Sequence, residues 1–235
     1  MAAKPAKKTS PTKKAASARH RAGARPGSAA PRLRDPIATK QRILDAATKE
    51  FARLGLGGAR VDAIAARAKA NKRMIYHYFG DKNRLFLAVL EAAYGAIRTA
   101  EQALDLEHLE PEDALRTLTE FTWRYYLAHP EFLTLVNSEN LHKARHLKQS
   151  RVVGEMFSTL VAMVRKILQR GVREGVFRKG IDPVQLNITI AAIGYYYLTN
   201  RFTGSIIYKR DLMEPKALTQ RLAFNVETVM RLVRK

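Results

Sequence analysis

Along residues 36 to 55 the apolar side chains Ile43, Leu44, Ala47, Phe51 and Leu54 recur at spacings that line one face of a helix, and Gly55 is placed to end it. A short second helix is predicted over 60–68, with Val61, Ile64, Ala65 and Ala68 as its buried side. A few residues later Asn71 can cap a third helix of about two turns, in which Ile75 and Phe79 point inward. The same stretch leaves Lys72, Arg73, Met74, Tyr76, His77 and Tyr78 outward or at the edge, and Gly80 stops it. Three helices, two of them short and joined tightly, make a helix-turn-helix domain whose third helix would enter a DNA major groove.

Acid-proline pairs mark four helix starts: Asp35-Pro36, Glu110-Pro111, Asp182-Pro183 and Glu214-Pro215. The acid can cap the first turn, and proline costs nothing there because its missing N–H would be unpaired anyway. Beyond a long helix beginning near Asp81, helical periodicity predicts elements over 111–128, 131–140, 142–150, 152–174, 183–203 and 214–234. Alternating strand patterns and repeats of 20 to 50 residues are both missing, so the fold class is all-α. The segments 183–203 and 214–234 carry apolar faces, Leu186, Ile190, Ile193 and Tyr197 on one and Leu218, Leu222, Val226 and Val229 on the other. Such faces are covered either inside one subunit or in a four-helix bundle between two.

Charge changes the picture more than composition does. The 42 Lys and Arg against 21 Asp and Glu give a net +21, and it is unevenly placed. Residues 1–34 hold ten bases and no acid, and residues 35–84 hold eleven bases against five acids, so the polyanion-binding surface is expected at the amino-terminal end. With Leu33 as its sole large aliphatic residue after Met1, the 1–34 segment is expected to be a disordered basic arm. The expected organisation is therefore an arm over 1–34, a DNA-binding domain over 35–84 and a larger domain over 85–235. There is no cysteine, which removes disulfides, thiolate zinc sites and cysteine nucleophiles. The apolar stretch Ile190 to Leu198 is far shorter than the roughly 18 residues of a membrane span, so a soluble, cytoplasmic protein without membrane partners is expected.

The segments RILDAATKEFARLG, VDAIAARA and MIYHYFGDKNRLF, within Thr39 to Leu90, resemble the DNA-binding domain of the tetracycline-repressor (TetR) family. A second stretch, HPEFLTLVNSENLHKARHL at 129–147, is similar to the effector domain of the subgroup containing the regulator of pyrimidine utilisation. The resemblance implies a homodimeric, ligand-responsive transcriptional regulator, most simply a repressor, that binds a palindromic operator in double-stranded DNA. It implies dimerisation through the helices near 183–203 and 214–234. By position, Lys72, Arg73 and Met74 match the base-facing start of the recognition helix, Tyr76 and His77 match groove and phosphate contacts, and Lys82 matches a phosphate-binding lysine. These side chains suit the roles: basic groups reach guanine edges or phosphates, tyrosine donates to phosphate, and Met74 offers apolar contact to a thymine methyl.

Two departures from the family pattern stand out. Ala59 and Arg60 stand where a Ser or Thr usually caps the second helix, and Arg60 itself becomes a candidate DNA contact. Lys69 replaces a turn glycine, at a cost of roughly 1 kcal/mol if the position needs a positive φ.

Polar or aromatic groups on otherwise apolar helices are the candidate effector contacts: Trp123, Tyr126, Asn137 and Asn140, together with Phe157, Tyr196 and Asn200. Glu139, His142 and His146 are spaced to share one helix face as metal ligands, but Lys143, Arg145 and Lys148 add charge that opposes a cation, and neither metal nor cofactor is expected. No phosphate-binding glycine loop, GxSxG or HExxH occurs, so enzymatic activity is not expected. The alternative to a ligand-responsive regulator is a nonspecific architectural DNA-binding protein.

Overall fold

A computed structural model describes residues 35–235, and the basic arm expected over 1–34 lies outside them. Asp35 accepts a hydrogen bond from the Ile37 N–H at 2.9 Å and starts α1 (Pro36–Gly58), whose Ile43, Ala47 and Phe51 are fully buried. Gly55 does interrupt the helix, at φ 65°, yet the chain coils on to Gly58. The interruption rotates the last turn, so Leu56 is buried and Leu54, expected on the apolar face, is 40% exposed. α2 (Val61–Arg67) buries Ile64 and Ala65, and α3 (Lys72–Phe79) buries Ile75 and Phe79. Between them Lys69 sits at φ 50°, the left-handed conformation for which glycine is the usual choice. Gly80, at φ 81°, ends α3, and the Asp81 side chain caps α4 (Lys82–Gln102) through the Arg84 N–H.

α4 serves two cores. Its first turns give Leu85, Phe86, Val89 and Leu90 to the core of the three-helix head, and its far end gives Ile97 to a second cluster with Trp123, Tyr126 and Phe132. It therefore runs across the 84/85 position expected to divide two domains.

Four further helices, α5 (Pro111–Ala128), α7 (Val152–Arg173), α8 (Pro183–Thr199) and α10 (Pro215–Val233), enclose a third core around Leu115, Val164, Ile167, Ile190 and Val229. Each of the four expected acid-proline starts opens a helix, but only Asp35 and Asp182 cap with their side chains. Glutamate's longer side chain makes no such bond at Glu110 or Glu214. A fifth proline start, Pro130, opens α6 (Pro130–Leu141).

Three expectations need correction. Residues 142–150 are not an α-helix: Lys143 and Ala144 take positive φ, and only a 3-10 turn, Leu147–Gln149, follows. The Glu139 carboxyl causes this by accepting hydrogen bonds from the His146 and Leu147 N–H groups at 2.8 and 3.0 Å, which replaces helical partners with a side chain. Segment 183–203 is divided at Asn200, whose amide donates to the Tyr196 carbonyl at 2.9 Å, and a separate α9 (Arg201–Ile207) follows. Finally, Leu186, Ile190, Val226 and Val229 are buried within the subunit itself. α8 is apolar nearly all round and leaves Ile188 and Tyr196 exposed, and Phe202 and Ile206 on α9 and Phe224 on α10 are exposed as well.

Among the described residues there is no strand, only an isolated bridge between Phe177 and Arg234, and no helix is long and apolar enough to cross a membrane.

Candidate nucleic-acid interface and ligand cavity

The Asn71 side chain accepts a hydrogen bond from the Arg73 N–H at 2.9 Å and so fixes the start of α3. With Ile75 and Phe79 anchored in the head core, the helix has one orientation left, which exposes Lys72, Arg73, Tyr76 and His77 together. Met74 and Tyr78 are half-buried against the head core, so part of Met74 is already engaged in packing. Lys72 is paired across the turn with Asp62, Nζ to Oδ1 2.8 Å, and this hydrogen bond raises the ammonium and lowers the carboxyl from their ordinary values. Arg60 precedes α2 with extended backbone, and its side chain is exposed to solvent. Lys82 donates to the Gly57 carbonyl at 3.4 Å, a weak contact that a phosphate oxygen can replace.

The second feature lies among α4, α5, α6, α7 and α8, which surround a cavity of about 550 Å³. Of the residues expected to contact an effector, Tyr126, Asn140 and Phe157 line it. Trp123 stands behind the wall, buried with its ring 5.6 Å from that of Tyr197, and Asn137 accepts the hydrogen bond of the Tyr195 hydroxyl. Tyr196 and Asn200 are not brought to this cavity. They line another of about 510 Å³, with Tyr208, Arg210 and Arg221, at the junction of α8 and α9.

Sequence reasoning missed Tyr94, Arg98, Glu101 and Phe132, all in the lining. One signal was there: Leu90, Tyr94, Ile97 and Glu101 fall on a single stripe at four- and three-residue steps, so a carboxylate occupies an apolar face. Glu101 Oε2 lies 2.8 Å from Arg98 Nη1, and both side chains are nearly removed from solvent. The contact is an ion pair without directed hydrogen bonds, and Arg98 Nε and Nη1 have no hydrogen-bond acceptor among the described residues. The guanidinium also lies over the Phe157 ring, 5.2 Å from its centre. Burial pushes the Glu101 carboxyl up to about 7, with the Arg98 charge opposing, and pushes the Tyr94 hydroxyl up to about 12.

The Glu101 shift has a stability consequence. Its ordinary value is 4.5, so between there and about 7 the folded chain holds a proton that the unfolded chain has lost. Stability should therefore fall as pH rises through that window, by roughly 3 kcal/mol at most. Urea unfolding of the protein and of Glu101→Gln at acidic and mildly alkaline pH measures this; a difference between the two that does not vary with pH contradicts it.

α6 connects the two features. Its Phe132, Val136 and Asn140 face the cavity, while Leu135 is fully buried in the head core and the Ser138 hydroxyl accepts a hydrogen bond from the Leu56 N–H at 3.4 Å. Glu139 and His146, whose spacing would let them share a helix face, pair with each other, Nδ1 to Oε2 2.6 Å, and His146 Nε2 is 3.4 Å from Asn83 at the start of α4. His142 is turned to the Ser138 carbonyl, and among the described residues no three ligating groups converge on one point.

Comparison with known proteins agrees with this arrangement. Residues 43–89 match the family described as bacterial regulatory proteins, tetR family, and residues 111–229 match the tetracyclin repressor-like C-terminal domain. The chain is 39% identical over 197 residues to the HTH-type transcriptional repressor NicS of Pseudomonas putida, covering 84% of this chain and 93% of that one. It is 41% identical over 143 residues to the HTH-type transcriptional repressor SCO4008 of Streptomyces coelicolor, covering 59% and 69%. The crystal structure of SCO4942 from Streptomyces coelicolor superposes with a TM-score of 0.64 at 27% identity, covering 83% of this chain and 98% of that one.

Proposed function

Because the chain belongs to the TetR family of bacterial transcriptional regulators, we propose that it is a cytoplasmic repressor that binds a palindromic operator as a homodimer and changes its grip when a small effector enters the 550 Å³ cavity. The observation that carries this is the placement of α6, which packs on the head core with Leu135 and lines the cavity with Phe132 and Val136. A ligand that displaces the cavity side of such an element biases the position of the head. The cavity favours regulation over a purely architectural role, since coating DNA requires only the basic face.

In this reading residues 1–34 are a basic arm, 35–84 hold the DNA-binding face and 85–235 hold the effector site and the dimer contact. Lys72, Arg73 and Met74 meet base edges, while Arg60, Tyr76, His77 and Lys82 meet the backbone. The dimer forms through the exposed apolar surface of α8 to α10 and not through Leu186, Ile190, Val226 or Val229, which the subunit already buries. Tyr126, Asn140 and Phe157 contact the effector directly, Trp123 and Asn137 support the wall, and Tyr196 and Asn200 belong to the dimer side.

Selection of bound genomic fragments by the full chain yields the operator, and two variants then test the interface. Arg73→Ala should cost about 1 to 3 kcal/mol and relax preference at one position per half-site. Lys82→Ala should weaken all sequences about equally and reduce the salt slope by roughly one unit for each phosphate no longer neutralised. Equal affinity of the protein for every duplex, or sequence-independent losses from both variants, would refute this assignment.

A further inference from the structure

We infer that the cavity takes a planar aromatic monocarboxylate, its carboxylate seated on Arg98 and its ring held among Tyr94, Tyr126, Phe132 and Phe157. The inference rests on the reading of this cavity as the effector site and specifies the chemistry of what enters.

Arg98 presents an unfilled donor. Only 12% of its side chain is exposed, and its guanidinium Nε has no acceptor among the described residues. A buried, unmade hydrogen bond to a charged group is costly, and an arriving acceptor removes that cost. The guanidinium fork matches a carboxylate in two parallel hydrogen bonds, which a single carbonyl oxygen cannot provide.

The walls have the shape and chemistry for a ring. Tyr94 meets Phe132 and Phe157 edge-on, with centres 5.4 and 5.5 Å apart, and Tyr126 stacks on Phe132 at 5.9 Å. These rings present flat apolar surfaces to a flat guest. A dry apolar cavity near 150 Å³ accommodates a benzene ring, so about 550 Å³ accommodates one or two fused rings and their substituents. The hydroxyls of Tyr94 and Tyr126 make no hydrogen bond among the described residues, and both can donate to the same anion.

Charge balance selects the monoanion. Arg98 already faces Glu101, and two carboxylates cannot share one guanidinium in a buried site without strong repulsion. The site stays neutral if Glu101 takes a proton as the ligand binds, and its carboxyl, pushed up to about 7 by burial, is placed to do so. The protonated carboxyl then becomes a further donor. The other titratable groups around it are Tyr94 on α4, Tyr125 and Tyr126 on α5, Glu155 on α7 and Tyr195 on α8; the tyrosines carry no charge at neutral pH, and the Glu155 carboxylate, which opposes an anion, is exposed and screened by solvent. A protonated amine would face the Arg98 charge instead.

Calorimetric titration of the full chain with 2-naphthoate, 2-naphthamide and 2-naphthylmethylamine tests this, with Trp123 emission as a second readout. Naphthoate should bind at least about tenfold more tightly than the other two. Its affinity should rise about tenfold between about pH 8 and pH 6, with nearly one proton taken up per ligand at about pH 8 and little at about pH 6, where Glu101 already holds it. Arg98→Gln should lose about tenfold or more for the acid and little for the amide, while Glu101→Gln should keep the acid and lose the pH dependence. Equal or tighter binding of the amide or amine, an acid affinity unchanged in Arg98→Gln, or no acid binding up to about 10 mM overturns the inference. The effector reading is judged separately by operator release. If the amide binds and releases DNA, the carboxylate assignment falls and the effector site stands; if naphthoate binds and DNA affinity does not move, the effector reading falls.

Discussion

Phe224→Glu is expected to convert the protein in solution from about twice 26.5 kDa to single 26.5 kDa subunits and to weaken operator binding by a hundredfold or more. Phe224 is 62% exposed on α10, on the side away from the buried Val226, Val229 and Met230, so the change leaves the subunit's own core intact. Burying a phenylalanine side chain contributes about 1.5 to 3 kcal/mol, and in a two-fold dimer each substitution acts twice. A loss of about 3 to 6 kcal/mol corresponds to a dimer roughly 10² to 10⁴ times weaker. Paired half-sites lose their paired readers when the subunits part, and affinity and specificity fall together. Ile193, which the sequence pattern places on the apolar face of 183–203, is a poor choice for a disrupting charge. It is half-buried against the subunit core and its carbonyl accepts a hydrogen bond from Arg221 at 3.0 Å. Light scattering on Phe224→Glu decides the matter: a variant that stays dimeric and keeps its operator excludes this surface as the contact.

Glu139→Ala is expected to destabilise the protein by about 3 to 5 kcal/mol. The carboxyl accepts hydrogen bonds from the His146 N–H, the Leu147 N–H and His146 Nδ1 at 2.8, 3.0 and 2.6 Å, in a place where water does not reach. Alanine leaves these donors without partners, and the turn at 143–149 loses what replaced its helical ladder. On a domain of this size such a loss lowers the midpoint of thermal unfolding by roughly 10 °C. Glu139→Gln, which retains an acceptor oxygen, should lose less. Because His146 also reaches Asn83 at the start of α4 and packs edge-on against Phe86, the damage should extend to the head. A calorimetric scan in which Glu139→Ala melts within about a degree of the unaltered protein would show that the clasp contributes little.

Residues with short-range jobs are legible in the sequence. Asp35 and Asp182 announce their helices because a cap needs only a side-chain oxygen two or three residues from the N–H it satisfies. Ile75 and Phe79 show which way α3 faces because four residues make about one turn, and the exposed set Lys72, Arg73, Tyr76 and His77 follows from them. Lys69, by contrast, takes a left-handed φ of 50° that its residue type does not announce.

What the sequence by itself determined, then, is the all-helical class, the four acid-proline helix starts and the composition of the DNA-facing helix, since each depends on contacts within a few residues. Only the tertiary structure decided which apolar faces are covered by the subunit and which remain open, and that Arg98 and Glu101 share a cavity with Tyr126, Phe132 and Phe157 while Tyr196 and Asn200 do not. Periodicity reports that a helix face is apolar, but the neighbour that covers it comes from far along the chain. The cavity draws its walls from Tyr94 to Tyr195, and its chemistry exists only where those five helices converge.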